Sequence, residues 1–248
     1  MPSTIEYPNY NPIAQVNNEY YSSQYFEHIL PSVQQLLLSN LSIGAQIIDL
    51  CCGAGRLTQA LLKKGYKVTG IDSSEEMLRY ARDNAPNGEF ILGDVRLFEL
   101  SPVFDAAVST GALNHIMCQE DLISVFRNVY RGLRKNGRFV FNVLLDEGFQ
   151  AGWDGFILSD AKDDCAWIVK HIYDPKDKIG QIKITGFELN AGNWQRLDDT
   201  MLVKSYSSNE VISALEQVEF SQVSIHQSEP DFQNSNNKPR ETFFIACK

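Results

Sequence analysis

Strand-like and helix-like segments alternate between residues 47 and 145 of this 248-residue chain. Short apolar runs that are typical of buried strands are separated by longer segments whose apolar residues recur at helical spacing. Strands that alternate with helices are joined by right-handed crossovers, which place parallel strands in one sheet between two layers of helices. The sequence therefore predicts an α/β fold built on a mostly parallel sheet.

The boundaries of these elements follow from capping and turn residues. Ser73 and Ser74 precede two glutamates, a strong signal for a helix N-terminus, and Gly65 closes the preceding helix. A further helical pattern covers residues 19–39, where Pro31 is expected to break or start a helix. The predicted strands are 47–51, 67–72, 89–94, 104–110 and 138–145, and the predicted helices between them are 56–65, 73–85 and 120–137.

The alternation stops after residue 145. Residues 146–206 contain turn signals between short segments that are typical of antiparallel strands. A capped helix and two closing strands then complete a seven-stranded sheet. We therefore predict a core of residues 1–145 and 207–248, with an N-terminal arm, and a small antiparallel β insertion at 146–206.

Charge and hydropathy exclude several classes of protein. The formal net charge of -9 argues against a duplex nucleic acid as partner, because proteins that bind one usually present a basic face. No apolar run reaches the roughly 18 residues that a membrane span needs. The first residues lack the pattern of a signal peptide, and the five cysteines show no CxxC spacing. A cytoplasmic location with free thiols is expected.

The segment IIDLCCGAGRLT, at residues 47–58, ends the first strand in a glycine turn. Ligands of parallel sheets bind at the carboxyl ends of the strands, where this turn lies. Three kinds of binding site are considered for the segment. A dinucleotide site would need a third glycine where Thr58 stands. A metal or redox site would use Cys51 and Cys52, whose side chains should point to opposite faces, and no His or Cys cluster completes it. The third kind of site binds a ligand whose amino group pairs with Asp49. We predict no metal.

Three consecutive strands end in an aspartate at the same edge of the predicted sheet. Asp49 ends the first strand, Asp72 the second and Asp94 the third. A carboxylate in the position of Asp72 receives the hydroxyls of a ribose, and Asp94 can accept a hydrogen bond from an adenine amino group. One such residue is commonly a turn residue, whereas three in register indicate a nucleoside ligand.

The segments DLCCGAG, GIDSS, GDV and FDAAVST together resemble the motif series of class I S-adenosylmethionine-dependent methyltransferases. The similarity extends from about residue 10 to the end of the chain. It implies a Rossmann-like sheet, S-adenosylmethionine as cofactor, and methyl transfer to a nitrogen or oxygen of a small-molecule acceptor. The insertion resembles the β lid of sugar N-methyltransferases and glycine N-methyltransferase-like enzymes.

The resemblance also assigns residues to each part of the cofactor. They are Asp49, Gly53 and Gly55 at the methionyl part, Asp72 at the ribose, Met77, Asp94 and Val95 at adenine, and Ser109 and Thr110 beside the sulfonium. Ser73 is a further cofactor-binding candidate. The segment YNPIAQV, at residues 10–16, is similar to a Tyr-containing arm that folds over the cofactor, and it suggests roles for Tyr10 and Tyr20. Arg56 either meets the cofactor carboxylate or is a solvated residue of the helix, where a cation opposes the macrodipole.

Methyl transfer from a sulfonium is an in-line displacement that depends mainly on alignment. A general base is needed only for a hydroxyl or a protonated amine. His115 is the candidate base, with Asn114 beside it, although both residues are also suited to capping the next loop. Two other functions stay open: a protein that binds S-adenosylmethionine without catalysis, and an NAD-linked oxidoreductase.

Overall fold

The computed structural model describes residues 14–18, 22–227 and 241–248. Tyr10 and Tyr20, which the resemblance assigns to the cofactor, lie outside the described residues. Within the described residues, no helix is both long and apolar enough to cross a membrane.

A seven-stranded sheet forms the centre of the fold. Its strands are β1 Gln46–Leu50, β2 Lys67–Asp72, β3 Glu89–Leu92, β4 Phe104–Ser109, β5 Leu133–Val143, β10 Ser221–Gln227 and β11 Thr242–Cys247. They lie in the order β10-β11-β5-β4-β1-β2-β3. Strands β5, β4, β1, β2 and β3 pair in parallel, and β11 is antiparallel to both of its neighbours. The predicted Rossmann-like, mostly parallel sheet is therefore confirmed.

Helices cover both faces of this sheet, so its central strands are buried on both sides. The helices are α1 Ala14–Val16, α2 Ser22–Leu36, α3 Arg56–Lys63, α4 Glu75–Asn84, α5 Gln119–Gly132, α6 Asp146–Gly148 and α7 Ser208–Glu216. Ile47 packs in a cluster with α2 and α3, whereas its neighbour Ile48 packs in a cluster with α5 and α7. Adjacent strand residues face opposite sides, which is why the inner part of β1 is apolar except for its aspartate.

Two of the differences between the predicted elements and the structure concern Gly132 and Pro31. The helix predicted at 120–137 ends at Gly132, and Leu133 already pairs with Phe104 of β4. A Cβ atom at Gly132 would lie 2.6 Å from Leu100, so the close approach of that side chain requires glycine here. Pro31 lies inside α2 rather than at its end, at an exposed position.

A second sheet lies in the chain between β5 and α7. Its strands are β6 Ile157–Ala161, β7 Cys165–Asp174, β8 Ile179–Asn190 and β9 Asn193–Lys204, in the order β6-β7-β8-β9 and all antiparallel. Alternate residues of β7, including Trp167, are buried in a cluster made of this sheet's own side chains. Trp153 packs in another local cluster, and Trp194 is 52% exposed. The aromatic residues of this segment thus contribute mainly to its own core.

Candidate functional site

A cavity opens at the carboxyl ends of β1, β2 and β4, where the sequence places its candidate residues. Of those, ten line it: Asp49, Gly53, Arg56, Asp72, Ser73, Met77, Asp94, Val95, Thr110 and His115. Gly55, Ser109 and Asn114 do not. The carboxyl ends of these parallel strands meet at one edge of the sheet, which brings residues that are distant in sequence to one site.

Asp49 lies at the bottom of this cavity and is 2% exposed. Its Oδ2 atom accepts a hydrogen bond from the Thr58 hydroxyl at 2.7 Å. Burial raises the pKa of Asp49 to about 7, and the negative charge of Asp72 contributes in the same direction. Thr58, which stands where a dinucleotide motif would have its third glycine, therefore orients this carboxylate. A cationic ligand group would stabilise its ionised form.

Asp72 holds the glycine turn in place. Its two carboxylate oxygens accept hydrogen bonds from the backbone N–H groups of Gly53 and Ser74, each at 2.9 Å. Burial raises the pKa of Asp72, and these backbone donors oppose the shift. Gly53 has a φ of +54°, and a Cβ atom there would lie 3.1 Å from the Met77 methyl group. The turn is thus closed on one side by Met77 and fixed on the other by Asp72.

Asp94 is held by an arginine that was not among the predicted site residues. The Arg96 guanidinium bonds both Asp94 oxygens at distances between 2.8 and 3.2 Å. The same guanidinium contacts Asp121, which is 2% exposed, at 3.0 Å. Arg96 follows Asp94 by two residues in GDVR, and an arginine so close to a candidate carboxylate was the available signal. This pair fixes the direction of the Asp94 carboxylate at the cavity.

Arg56 is not a solvated residue of the helix. Its Nη2 atom donates to the backbone oxygen of Asn18 at 3.0 Å and to the Oδ1 atom of Asn18 at 3.2 Å. Asn84 donates to the same Oδ1 atom and to the backbone oxygen of Ala54, each at 2.8 Å. Arg56 therefore joins the segment around Asn18 to the glycine turn while it lines the cavity.

Cys51 and Cys52 both line the cavity, but their side chains have different neighbours. Cys51 packs against the cluster of α5 and α7, whereas the Cys52 Sγ atom lies against Gly70 of β2, 2.8 Å from where a Cβ atom would stand. All five cysteines are free thiols. Among the described residues, no group of three or more His, Cys, Asp or Glu side chains is arranged to hold a metal ion.

Ser109 and Thr110, at the end of β4, differ in placement. The Ser109 hydroxyl is buried and donates to the backbone oxygen of Leu50 at 3.2 Å, so it joins β4 to β1. Thr110 lines the cavity, as do the next two residues. Of the two residues that the resemblance assigns to the sulfonium, only Thr110 therefore lines the cavity.

Asn114 joins the second sheet to the core. Its Nδ2 atom donates to the backbone oxygens of Leu144 and Lys204, at 2.9 and 2.8 Å, and its Oδ1 atom accepts from the Leu144 N–H at 2.9 Å. These three bonds fix the ends of β5 and β9 to each other. This geometry supports the capping alternative for Asn114 rather than catalysis.

His115 lines the cavity and is 8% exposed. Its Nδ1 atom lies 3.1 Å from the Leu202 backbone oxygen, which can only accept, so Nδ1 carries the proton and Nε2 is an acceptor. Burial lowers the pKa of His115 to about 4. The imidazole is therefore neutral at pH 7 and is a weak base that can orient an N–H or O–H donor.

Residues 47–137 match a family model described as "Methyltransferase domain". This part of the chain is a methyltransferase domain. It runs from β1 into β5 and carries all three aspartates of the cavity, in agreement with the predicted class I S-adenosylmethionine-dependent methyltransferase. S-adenosylmethionine is the cofactor of that class. The polar groups of the cavity fit this cofactor. Buried carboxylates can accept hydrogen bonds from an ammonium group and from a diol, and the glycine turn leaves room for a ligand.

Several similar proteins are also named methyltransferases, but the names that give a substrate give different ones. "Putative methyltransferase YqeM" of Bacillus subtilis is 28% identical over 211 residues, which are 82% of this chain and 84% of that protein. "18S rRNA (guanine-N(7))-methyltransferase RID2" of Arabidopsis thaliana is 28% identical over 150 residues, 52% of each chain. The structure of the sugar N-methyltransferase KedS8 from Streptoalloteichus sp. has a TM-score of 0.73 at 16% identity and covers 100% of this chain and 96% of that chain. That likeness shows a shared fold.

Proposed function

We propose that this methyltransferase transfers the methyl group of S-adenosylmethionine to a nitrogen or oxygen of a small molecule, which binds between the cavity and a lid formed by residues 146–206. The observation that carries the proposal is the contact of His115, in the cavity, with Leu202 of β9. The last strand of the second sheet thereby reaches the place where an acceptor would approach. The net charge of -9 also disfavours a polyanionic acceptor such as RNA.

The cofactor would be held by groups of both polar and apolar character. Asp49 would pair with the ammonium of the methionyl part, and Asp72 would accept hydrogen bonds from the ribose hydroxyls. Asp94, oriented by Arg96, would accept from the adenine amino group, and Met77 would cover the ring. These assignments match the burial and bonding of the four cavity residues.

The bound cofactor supplies a methyl group on a positively charged sulfur, which leaves as a neutral thioether. The task of the chain is then to align the acceptor and to keep water out, and alignment alone can supply roughly 7 to 11 kcal/mol of the barrier. His115, neutral at pH 7, would hold an N–H or O–H of the acceptor through Nε2. A free amine needs no base, which suits a histidine whose pKa is lowered to about 4.

Binding and transfer are tested in sequence. Isothermal titration with S-adenosylmethionine is expected to show binding, and a radiolabelled-methyl screen over amines, amino sugars and phenols is expected to find an acceptor. Labelling of ribosomal RNA with no small-molecule acceptor would overturn the acceptor class. Stronger binding of NAD than of S-adenosylmethionine would favour an oxidoreductase.

A second candidate function is binding of S-adenosylmethionine without catalysis, as in a sensor or partner subunit. For acceptors that need a base, such as a hydroxyl or a protonated amine, the lowered pKa of His115, caused by burial, favours this candidate. Tight cofactor binding without transfer to any member of the acceptor panel would support this candidate.

The carboxylate of Asp49 makes cofactor binding depend on pH. Since burial raises the pKa of Asp49 to about 7, the empty protein is mostly protonated there at pH 5.5 and mostly ionised at pH 7.5. An ammonium binds the ionised form, so affinity for S-adenosylmethionine should rise by about 25-fold between these pH values, in proportion to the ionised fraction. In Asp49→Asn the affinity should be lower and this rise should disappear, as measured by titration at both pH values. An equal rise in the variant would show that another group causes it.

A further inference from the structure

Asn142 of β5 joins three elements next to the cavity. It is 1% exposed, and its Oδ1 atom accepts from the Gly111 N–H at 2.9 Å. Its Nδ2 atom donates to the Tyr25 hydroxyl at 2.7 Å and to the Glu241 carboxylate at 2.8 Å. Both protons and the oxygen of the amide are thus used, which fixes its orientation.

Tyr25 of α2 lies directly against the end of β4. A Cβ atom at Gly111 would be 2.8 Å from the Tyr25 ring and 2.9 Å from its hydroxyl oxygen, so any side chain at this position would displace the phenol. Gly111 also has a φ of +67°, which favours glycine. Tyr25, Thr110, Gly111 and His115 all line the cavity. The phenol therefore stands at the cavity end where the methyl group would be transferred.

We propose that the Tyr25 hydroxyl, oriented by Asn142, contacts the transferring methyl group and the acceptor atom, and so helps to align the two. This inference rests on the proposed function. The hydrogen bond that the Asn142 amide donates sets the direction of the phenol oxygen. The methyl group of a sulfonium also carries partial positive charge, which a neighbouring phenol oxygen stabilises.

Glu241 explains why the amide keeps this orientation. With the amide reversed, its oxygen would face both the Glu241 carboxylate and the Tyr25 hydroxyl, and its N–H groups would face the Gly111 N–H. The carboxylate therefore selects the arrangement in which Nδ2 points at Tyr25. Glu241 is a positioning residue, one step removed from the cavity.

Two non-reacting analogues of the cofactor test the role of Tyr25 without a known acceptor. S-adenosylhomocysteine has no group at the methyl position, whereas sinefungin carries an amino group there. In Tyr25→Phe, sinefungin should bind about tenfold more weakly, because a hydrogen bond to a charged group is lost, and S-adenosylhomocysteine within about twofold of wild type. Both affinities are measured by isothermal titration.

Tyr66→Phe is the matched control, since Tyr66 belongs to the hydrophobic cluster against which Tyr25 packs but does not line the cavity. It should leave both affinities unchanged. Equal weakening of the binding of both analogues in Tyr25→Phe would show a purely structural role and overturn the proposal. Unchanged affinity for both analogues would also overturn it. If the wild-type protein binds neither analogue, the proposed function fails and this inference fails with it. If the wild-type protein binds both analogues but Tyr25→Phe does not weaken sinefungin binding selectively, this inference alone is refuted.

Discussion

Replacing Asp72 by alanine is expected to weaken binding of S-adenosylmethionine about 100-fold, or about 2.7 kcal/mol. The cofactor would lose two hydrogen bonds between its ribose hydroxyls and this carboxylate. The backbone N–H groups of Gly53 and Ser74 would also lose the acceptor that holds the glycine turn in its conformation. Isothermal titration of wild type and variant measures the change.

Asp105→Ala is the control for this substitution. Asp105 is also an aspartate of the central sheet that accepts from a backbone N–H, that of Gln46, and it pairs with Arg134. It lies at the start of β4, at the end of the sheet opposite the cavity. Cofactor affinity should stay within about twofold of wild type in Asp105→Ala. If both variants bind equally well, Asp72 does not hold the ribose.

Gly55→Ala should be the most destabilising single-methyl change in the glycine turn, lowering the free energy of unfolding by about 3 kcal/mol. Gly55 has a φ of +73°, and a Cβ atom there would lie 3.0 Å from both Cα and Cβ of Ala81 in α4. The backbone of α4 cannot yield as a flexible side chain would. Gly55 thus packs the first helix after β1 against α4, and this contact accounts for its absence from the cavity lining.

Gly44→Ala separates backbone strain from this contact. Gly44 has a similar φ of +83°, but a Cβ atom there would meet nothing within 4 Å. We expect it to cost only about 1 kcal/mol, since strain acts alone. Urea unfolding of the two variants measures both values. Equal losses would mean that the approach of Ala81 to Gly55 contributes nothing to stability.

The sheet and the cavity were predictable because local patterns determine them. Each buried strand has an apolar run, and the aspartates stand where parallel strands end, so the positions of Asp49 and Asp72 follow from strand order alone. The end of α5 was not predictable, because Gly132 is selected by the side chain of Leu100, which is far from it in sequence.

At the site, contacts between distant segments determine which of two roles that the sequence allowed a residue has in the structure. The residue pattern left both catalysis and capping open for Asn114 and His115, and in the structure β9 places backbone oxygens beside both side chains. The positive φ of Cys51, just before the glycine turn, was also not predictable, because a residue pattern carries no direct sign of such a backbone conformation in a non-glycine residue.

The most direct test of the proposed site is a crystal structure of the complex with S-adenosylhomocysteine. We expect the ribose hydroxyls at Asp72, adenine between Met77 and Asp94, and the sulfur facing Thr110, His115 and Tyr25. A ligand bound elsewhere, or one whose sulfur faces none of these three side chains, would contradict the assignment.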